Sequence, residues 1–378
     1  MAPEPDELRA AARRHVEDTV VPGIGGWERE GRFPREAARE AGRSGLCGLF
    51  APAEVGGQGL SYADGMPVFE ELGRGDASYA FALSMHNAVT AVIGGHASPE
   101  ARDRWAGRLA AGEALGCFSL TEPHAGSDAA AISTRGEPDG DGYRVSGRKA
   151  WVSLAGEADV YLLACRTGSE AGAQGMMMVA LGAEQPGLRV VRIYDKMASS
   201  FLPIGELELD GVAVEPWQVV APPGQGMRAA LGAIDVARTD IAAISVGLAS
   251  RALEIALRHA RDREAFGGVV LDLQAIRFML ADVETDIVAG RLLYQRAAGL
   301  LGTSEGTVAA AHAKRFCPDA ALRAAVACSE VLGAYGWLND TPLPRFIALA
   351  KMLQVVDGTT EIQRVVIARE LATRAAGL

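Results

Sequence analysis

The feature that most constrains the fold is a hydrophobic period that changes twice along the chain. From Asp6 to about Gly116, Ala, Leu and Arg interleave at helical spacing, as in Tyr62–Leu72, where Met66, Val68 and Leu72 fall roughly on one face. The turn signals Pro22-Gly23, Glu54–Gly59 and His96–Pro99 divide this stretch into separate helices. Around Ser119 the texture becomes that of strands. Asp139-Gly-Asp-Gly142 ahead of Tyr143-Arg-Val predicts a hairpin, and Val160–Ala164 and Met176–Leu181 are apolar runs of strand length. Gly205–Gly211 alternates as a strand with one wet face would, and Pro216 and Pro222–Gly226 close the region. Beyond Met227 the helical period returns, with Ile241, Ile244, Leu248, Ala252 and Ile255 on one stripe of a long helix. Strands segregated from helices in this way make an α+β protein and not a βαβ sheet. Three domains are expected: helical over 1–117, β over 118–225 and helical again over 226–378.

Composition excludes several function classes. The 37 basic and 47 acidic side chains leave a net charge of −10, and no local basic patch offsets it, so no nucleic-acid partner is expected. No run reaches the length of a membrane span, and Met1–Asp6 lacks the basic and apolar segments of a secretory leader, so a cytoplasmic protein without a membrane partner is expected. The five cysteines, Cys47, Cys117, Cys165, Cys317 and Cys328, have neither CxxC spacing nor an even count. They read as buried small apolar residues, with no disulfide framework and no zinc site. His86 and His96 lack metal-ligand spacing, His124 reads as a surface residue, and no GxxxxGK loop or nucleophile elbow occurs. No metal is expected.

The segment that most invites a chemical reading is Leu120-Thr-Glu-Pro-His-Ala-Gly-Ser-Asp128, where helix gives way to strand. Its hydroxyls and Gly126 could hold a ligand, or it could be an ordinary connection; the residues alone leave both open. Its order, however, resembles the loop that opens the β-domain of the acyl-CoA dehydrogenase family of flavoproteins. Further segments match that family in register. Arg148-Lys-Ala-Trp-Val-Ser153 resembles its flavin-side strand, Arg261–Gly267 its arginine-bearing loop and Gln274–Asp282 the following helix. Val331–Gly336 and Asp357-Gly-Thr-Thr-Glu-Ile-Gln363 resemble its last two signatures.

The resemblance implies an N-terminal helical domain, a middle β-barrel or sheet domain and a C-terminal four-helix bundle, with FAD as cofactor. It implies that Thr121, Ser127, Trp151 and Ser153 lie about the isoalloxazine in one chain. Arg263, Phe266, Gln274 and Gly333 would reach the pyrophosphate and adenosine from a neighbouring subunit, with Thr359 and Glu361 completing the site, so a homodimer or homotetramer follows. Arg forks suit pyrophosphate and Trp offers a flat stacking surface.

In this family a carboxylate takes the α-proton of an acyl thioester while flavin N5 takes hydride from the β-carbon. The resemblance places Asp357 at the base position, with Gly358 and Arg238 beside the substrate. The usual residue there is Glu, and Asp is one methylene shorter, a shortfall of roughly 1.5 Å unless the pocket is adjusted to it. Branches that relocate the base carry it immediately before the arginine of the long helix; here that position is Ala237. Asp235 and Asp240 flank it without occupying it, and Asp235 reads as solvated or capping. Glu330 replaces a common Gln near the pyrophosphate, so weaker FAD binding is expected unless Arg263 or Arg345 neutralises it.

The function expected is FAD-dependent dehydrogenation of an acyl-CoA or acyl-carrier-protein thioester, with electrons passed to an electron-transfer flavoprotein or other acceptor. The alternatives are a flavin-dependent monooxygenase on the same fold, which needs no α-proton base, and a non-catalytic acyl- or flavin-binding protein.

Overall fold

A computed structural model describes residues 4–168 and 175–377. In chain order the helices are α1 (Pro5–His15), α2 (Val21–Glu30), α3 (Arg35–Arg43), α4 (Tyr62–Gly75), α5 (Ala77–His96), α6 (Pro99–Ala101) and α7 (Gly107–Ala110). Strands β1 (Gly116–Ser119), β2 (Arg135–Asp139), β3 (Gly142–Ser153), β4 (Val160–Arg166), β5 (Met176–Gly182), β6 (Leu188–Ile193), β7 (Ile204–Val214) and β8 (Val219–Ala221) follow. Then come α8 (Gly226–Asp262), the short strands β9 (Glu264–Ala265) and β10 (Gly268–Val269), α9 (Gln274–Leu300), α10 (Gly306–Val331), α11 (Leu343–Val355) and α12 (Thr360–Ala376). The chain divides into two compact units, Met1–Ser61 with Ala82–Ile234, and Tyr62–Phe81 with Asp235–Leu378.

In the first unit the sheet runs β6-β7-β3-β2-β4-β5-β8, with β1 added in parallel on β4. The expected hairpin joins β2 to β3, Asp139 facing Gly142 across a two-residue turn in which Gly140 takes a positive φ. β4 as far as Cys165, and β5, are apolar because both their faces are covered. Leu162, Ala164, Met176, Met178 and Ala180 pack with Val89, Ile93 and Leu109 of the helices, while Leu163, Cys165, Met177, Val179 and Leu181 pack with Val145, Leu209 and Val212. Helix–sheet attachments are polar as well. Arg35 pairs with Asp159 at 2.5 Å, and the Glu28 carboxylate accepts the backbone N–H groups of Ser199 and Ser200 at 2.9 and 2.8 Å.

Two local expectations are corrected. Pro22-Gly23 does not break the chain, since Pro22 sits in the first turn of α2, where its missing N–H costs nothing, and a π-helical stretch Val16–Val20 carries α1 into α2. The wet face of 205–211 is also partly covered: Glu206 is only 8% exposed, because Arg148 and the Tyr194 hydroxyl claim its two oxygens at 2.9 Å each.

In the second unit α10 packs against α9, α11 and α12, its buried face made largely of alanine. Helix α4 crosses α8 at two glycines: a Cβ on Gly247 would sit 2.0 Å from the Glu70 carbonyl, and one on Gly73 2.4 Å from that of Ile244. Helix α9 holds α4 from another side. Buried Glu70 accepts from Arg291 at 2.6 Å and from the Tyr294 hydroxyl at 2.5 Å. These contacts explain why residues 62–81 belong with the C-terminal helices and not with their sequence neighbours. No helix among the described residues is long and apolar enough to cross a membrane. Among the described residues the five cysteines are buried and free, and no His, Cys, Asp or Glu group is placed to hold a metal.

Candidate active site

In the helical unit, chemistry concentrates at the turn between α11 and α12. Val356 is extended, Asp357 and Gly358 both take left-handed φ of +52° and +90°, and Thr359 caps α12 by accepting the Ile362 N–H at 3.4 Å. A left-handed aspartate is a strained residue that the surroundings must hold in place. A side chain at Gly358 would be strained by its φ and tight against Gln363, since a Cβ would lie 3.0 Å from Gln363 Nε2 and 3.5 Å from an Arg238 terminal nitrogen. Gln363 closes the turn by donating from Nε2 to the Gly358 carbonyl at 2.9 Å.

Within this turn Asp357 as a whole residue is partly exposed, yet its Oδ2 is sealed from solvent and accepts no hydrogen bond. Burial raises its carboxyl to about 6, and Lys314 and Arg238 hold the rise back. Lys314, on α10, is fully buried with its Nζ donating to the Leu353 carbonyl at 2.7 Å. Its own ammonium is pushed down to about 8, first by burial. Asp235 is neither free in solvent nor a cap: it accepts from Arg238 at 2.9 Å and from the Thr307 hydroxyl at 2.6 Å. It thereby aims the Arg238 side chain, whose Nε is buried without a partner.

Arg263, Phe266, Gln274, Glu330 and Gly333 are all exposed on this unit. Phe266 and Gly267 form the left-handed tip of the β9–β10 hairpin, and Phe266, 95% exposed, is not core. The His259 ring lies 6.0 Å from that of Tyr335, which brings the end of α8 beside the 333–337 turn. Arg345 does not serve Glu330, because it is committed to buried Asp76 at 2.7 Å. Glu361 pairs with Arg364 at 3.0 Å on its own helix.

The sheet unit has its own construction. Buried Glu122 spends Oε1 on Lys149 Nζ at 2.8 Å and the Thr134 N–H at 2.9 Å, and Oε2 on the N–H and hydroxyl of Ser133 at 2.6 and 2.8 Å. Burial opposes its charge, but Lys149 and these donors outweigh that and bring Glu122 down to about 2. Lys149 also donates to the Leu120 carbonyl at 3.0 Å, and Ala150 N–H to that of Thr121 at 2.9 Å, so the 120–128 loop is fastened to β3. Immediately beyond, the β3–β7 register slips and Trp151 takes φ of +57°, turning its indole outward until it is 63% exposed. Trp151 is therefore not core. Its ring lies 4.4 Å from that of Tyr194, Ser127 is exposed, Thr121 is half-buried and Ser153 buried. His124 is exposed, as expected, and buried His86 accepts the Gly116 N–H at Nδ1.

Sequence reasoning missed Lys149, Lys314 and Gln363. A signal existed for Lys314. It falls on the stripe of Ala310, Cys317 and Ala321 in a chain with only four lysines, a position where a cation must find a buried partner.

The architecture is an α+β chain in the order helices, sheet, helices, with a sealed carboxylate in its second unit, and comparison makes it specific. Residues 2–113, 117–212 and 224–372 match the N-terminal, middle and C-terminal domains of acyl-CoA dehydrogenases. The chain belongs to the acyl-CoA dehydrogenase family. It is 30% identical to the mitochondrial isobutyryl-CoA dehydrogenase of Dictyostelium discoideum over 97% of this chain and 88% of that one. The structure of butyryl-CoA dehydrogenase from Megasphaera elsdenii superposes with a TM-score of 0.93 at 28% identity, covering 97% and 98% of the two chains. That of a Mycobacterium smegmatis glutaryl-CoA dehydrogenase in complex with FADH2 gives 0.90 at 26%, covering 97% and 94%.

Proposed function

We propose that this protein oxidises an acyl-CoA thioester between its α and β carbons, with Asp357 as the base. The observation that carries the reading is the sealed Oδ2 of Asp357, which accepts no hydrogen bond. A carboxyl raised to about 6 is ionised at neutral pH and still basic enough to take a proton from an acidified carbon. The shorter side chain is served by a left-handed turn that is pinned by Gln363 and packed closely at Gly358.

The cofactor is FAD, which when bound takes the hydride leaving the β-carbon. The residues present fit such a group. Trp151 offers an outward-turned flat ring, Thr121 and Ser127 offer hydroxyls, and Gly126 leaves open space, its absent Cβ meeting nothing nearer than Thr121 Cγ2 at 3.9 Å. Arg263 supplies a fork for pyrophosphate, and exposed Phe266, Gln274, Glu330 and Gly333 share its unit. We assign this second set to the flavin of another copy, which makes the protein a homo-oligomer; the exposed Phe266, Phe278 and Trp337 support that assignment. Arg238 and Gly358 border the substrate, Thr359 and Glu361 the flavin. The relatives named for isobutyryl-, butyryl- and glutaryl-CoA favour a short acyl group on coenzyme A. An electron-transfer flavoprotein is the acceptor we favour, and five unpaired cysteines suit a reducing cytosol.

The test is the visible spectrum of the purified protein under argon, before and after isobutyryl-, butyryl-, glutaryl- and longer acyl-CoA thioesters. Bleaching of the flavin band is expected with a short thioester and is lost in Asp357→Asn, which keeps its flavin. Unchanged bleaching in that variant removes Asp357 as base. A yellow protein that no acyl-CoA bleaches overturns the coenzyme A substrate, and substrate-dependent oxygen uptake then marks a monooxygenase.

A further inference from the structure

Among the described residues, the charged groups that act on Asp357 and Lys314, other than these two themselves, each have a partner of their own. Arg238 has Asp235 at 2.9 Å, Asp319 has Arg315 at 2.5 Å and Gln354 at 2.7 Å, and Glu361 has Arg364 at 3.0 Å. The two left over are Lys314 and Asp357. Lys314 is fully buried, makes no ion pair within 4 Å among the described residues, and donates one hydrogen bond there, to Leu353, four residues before Asp357. A buried ammonium with a single neutral acceptor is poorly compensated unless a carboxylate nearby shares its surroundings.

We propose that Lys314 is the positioning residue of the Asp357 turn: its ammonium tethers the last turn of α11 through the Leu353 carbonyl and acts as the counter-ion of Asp357, beside an Arg238 already engaged by Asp235. The charges facing Asp357 are Lys314 from α10 and Arg238 from α8; those facing Lys314 are Asp357, Arg238, Asp319 and Glu361. Since Asp235, Arg315 and Arg364 already occupy the other members, Lys314 and Asp357 respond chiefly to each other. Each has its charge opposed by burial and supported by the other. The consequence is a base kept ionised at neutral pH without a hydrogen bond on its sealed oxygen, so that no donor has to be displaced before a proton arrives.

The catalytic half of this proposal rests on Asp357 being the base; the pairing itself does not, and the two are tested separately. With only four lysines in the chain, lysine labelled with 13C at Cε allows the Lys314 signal to be followed through a pH titration without substrate. Asp357→Asn, close in shape, should move the Lys314 midpoint down by about one unit, because an uncharged amide no longer supports the ammonium. An unmoved midpoint overturns the pairing, whatever Asp357 does in turnover. Lys314→Met should move the acid limb of kcat/KM up by about one unit, while Lys314→Arg, which retains the charge, leaves it in place. An acid limb that stays put in a folded, flavin-loaded Lys314→Met protein overturns the catalytic half. If Lys314→Met does not fold, the titration of the Asp357→Asn protein still decides the pairing.

Discussion

The Lys149 ammonium lies 2.8 Å from Glu122 Oε1 with neither side chain more than 1% exposed, and this pair holds the 120–128 loop against the strand that presents Trp151. A buried pair broken on one side leaves an uncompensated charge worth about 3–5 kcal/mol. Lys149→Met is therefore expected to lower the unfolding free energy by about 3 kcal/mol or more in a urea titration, and Lys149→Met with Glu122→Leu to recover part of the loss. A single-variant loss under about 1 kcal/mol would show that the pair is not what fastens the loop. The sign with pH follows from Glu122 lying at about 2 against an ordinary 4.5. Its stabilisation is complete above about 4.5 and disappears as pH falls towards 2.

Trp151 is exposed and contributes little to a core, so Trp151→Ala should change stability by no more than about 0.5 kcal/mol. Loss of its flat surface should weaken FAD binding about tenfold, equivalent to ~1.4 kcal/mol. Thermal melts of the apoprotein and a flavin titration separate the two effects; a large drop in melting temperature with unaltered flavin affinity would contradict this role.

Gly358 is left-handed and boxed in by Gln363 and Arg238. Gly358→Ala should destabilise the protein by about 1–3 kcal/mol through backbone strain. It should also move Asp357, and a displacement of about 1 Å reduces kcat on the order of 100-fold. Stopped-flow reduction of the bound flavin measures this directly, and near-normal kcat would show that the turn tolerates a side chain.

Asp357, raised to about 6 from an ordinary 3.8, binds its proton more tightly in the folded chain than in the unfolded one. Its contribution to stability therefore falls as pH rises from about 4 to about 6, while kcat/KM rises through about 6 as the base ionises. Asp357→Asn should flatten the first curve over that interval. Denaturation of the two proteins at half-unit pH steps checks it, and parallel curves would show that the carboxyl is not perturbed.

Much of the fold, and the turn that carries Asp357, is local in sequence and legible there. The hairpin at Gly140 follows from turn chemistry, the strand pair β4 and β5 from unbroken apolar runs, and the long α8 from the stripe Ile241, Ile244 and Leu248. The glycine after Asp357 and the threonine cap of α12 are adjacent residues whose types suit a tight reversal into a helix. What could not be read is every property that depends on a distant partner. Asp235 looked solvated because Thr307, which engages it, is 72 residues away, and Arg345 looked available to Glu330 because Asp76 lies 269 residues before it.

The sequence by itself determined the order of helix and strand, because hydrophobic period and turn chemistry act within a few residues, and it supplied the side chains proposed as base and flavin surface. Only the tertiary structure decided which of those groups are dry. It turned Trp151 and Phe266 outward although both are large and apolar, and it buried Lys149 and Lys314 although both are charged. Burial and charge compensation are set by whatever the fold brings alongside, and the carboxyl of Asp357 is raised to about 6 only in the surroundings that α8 and α10 provide.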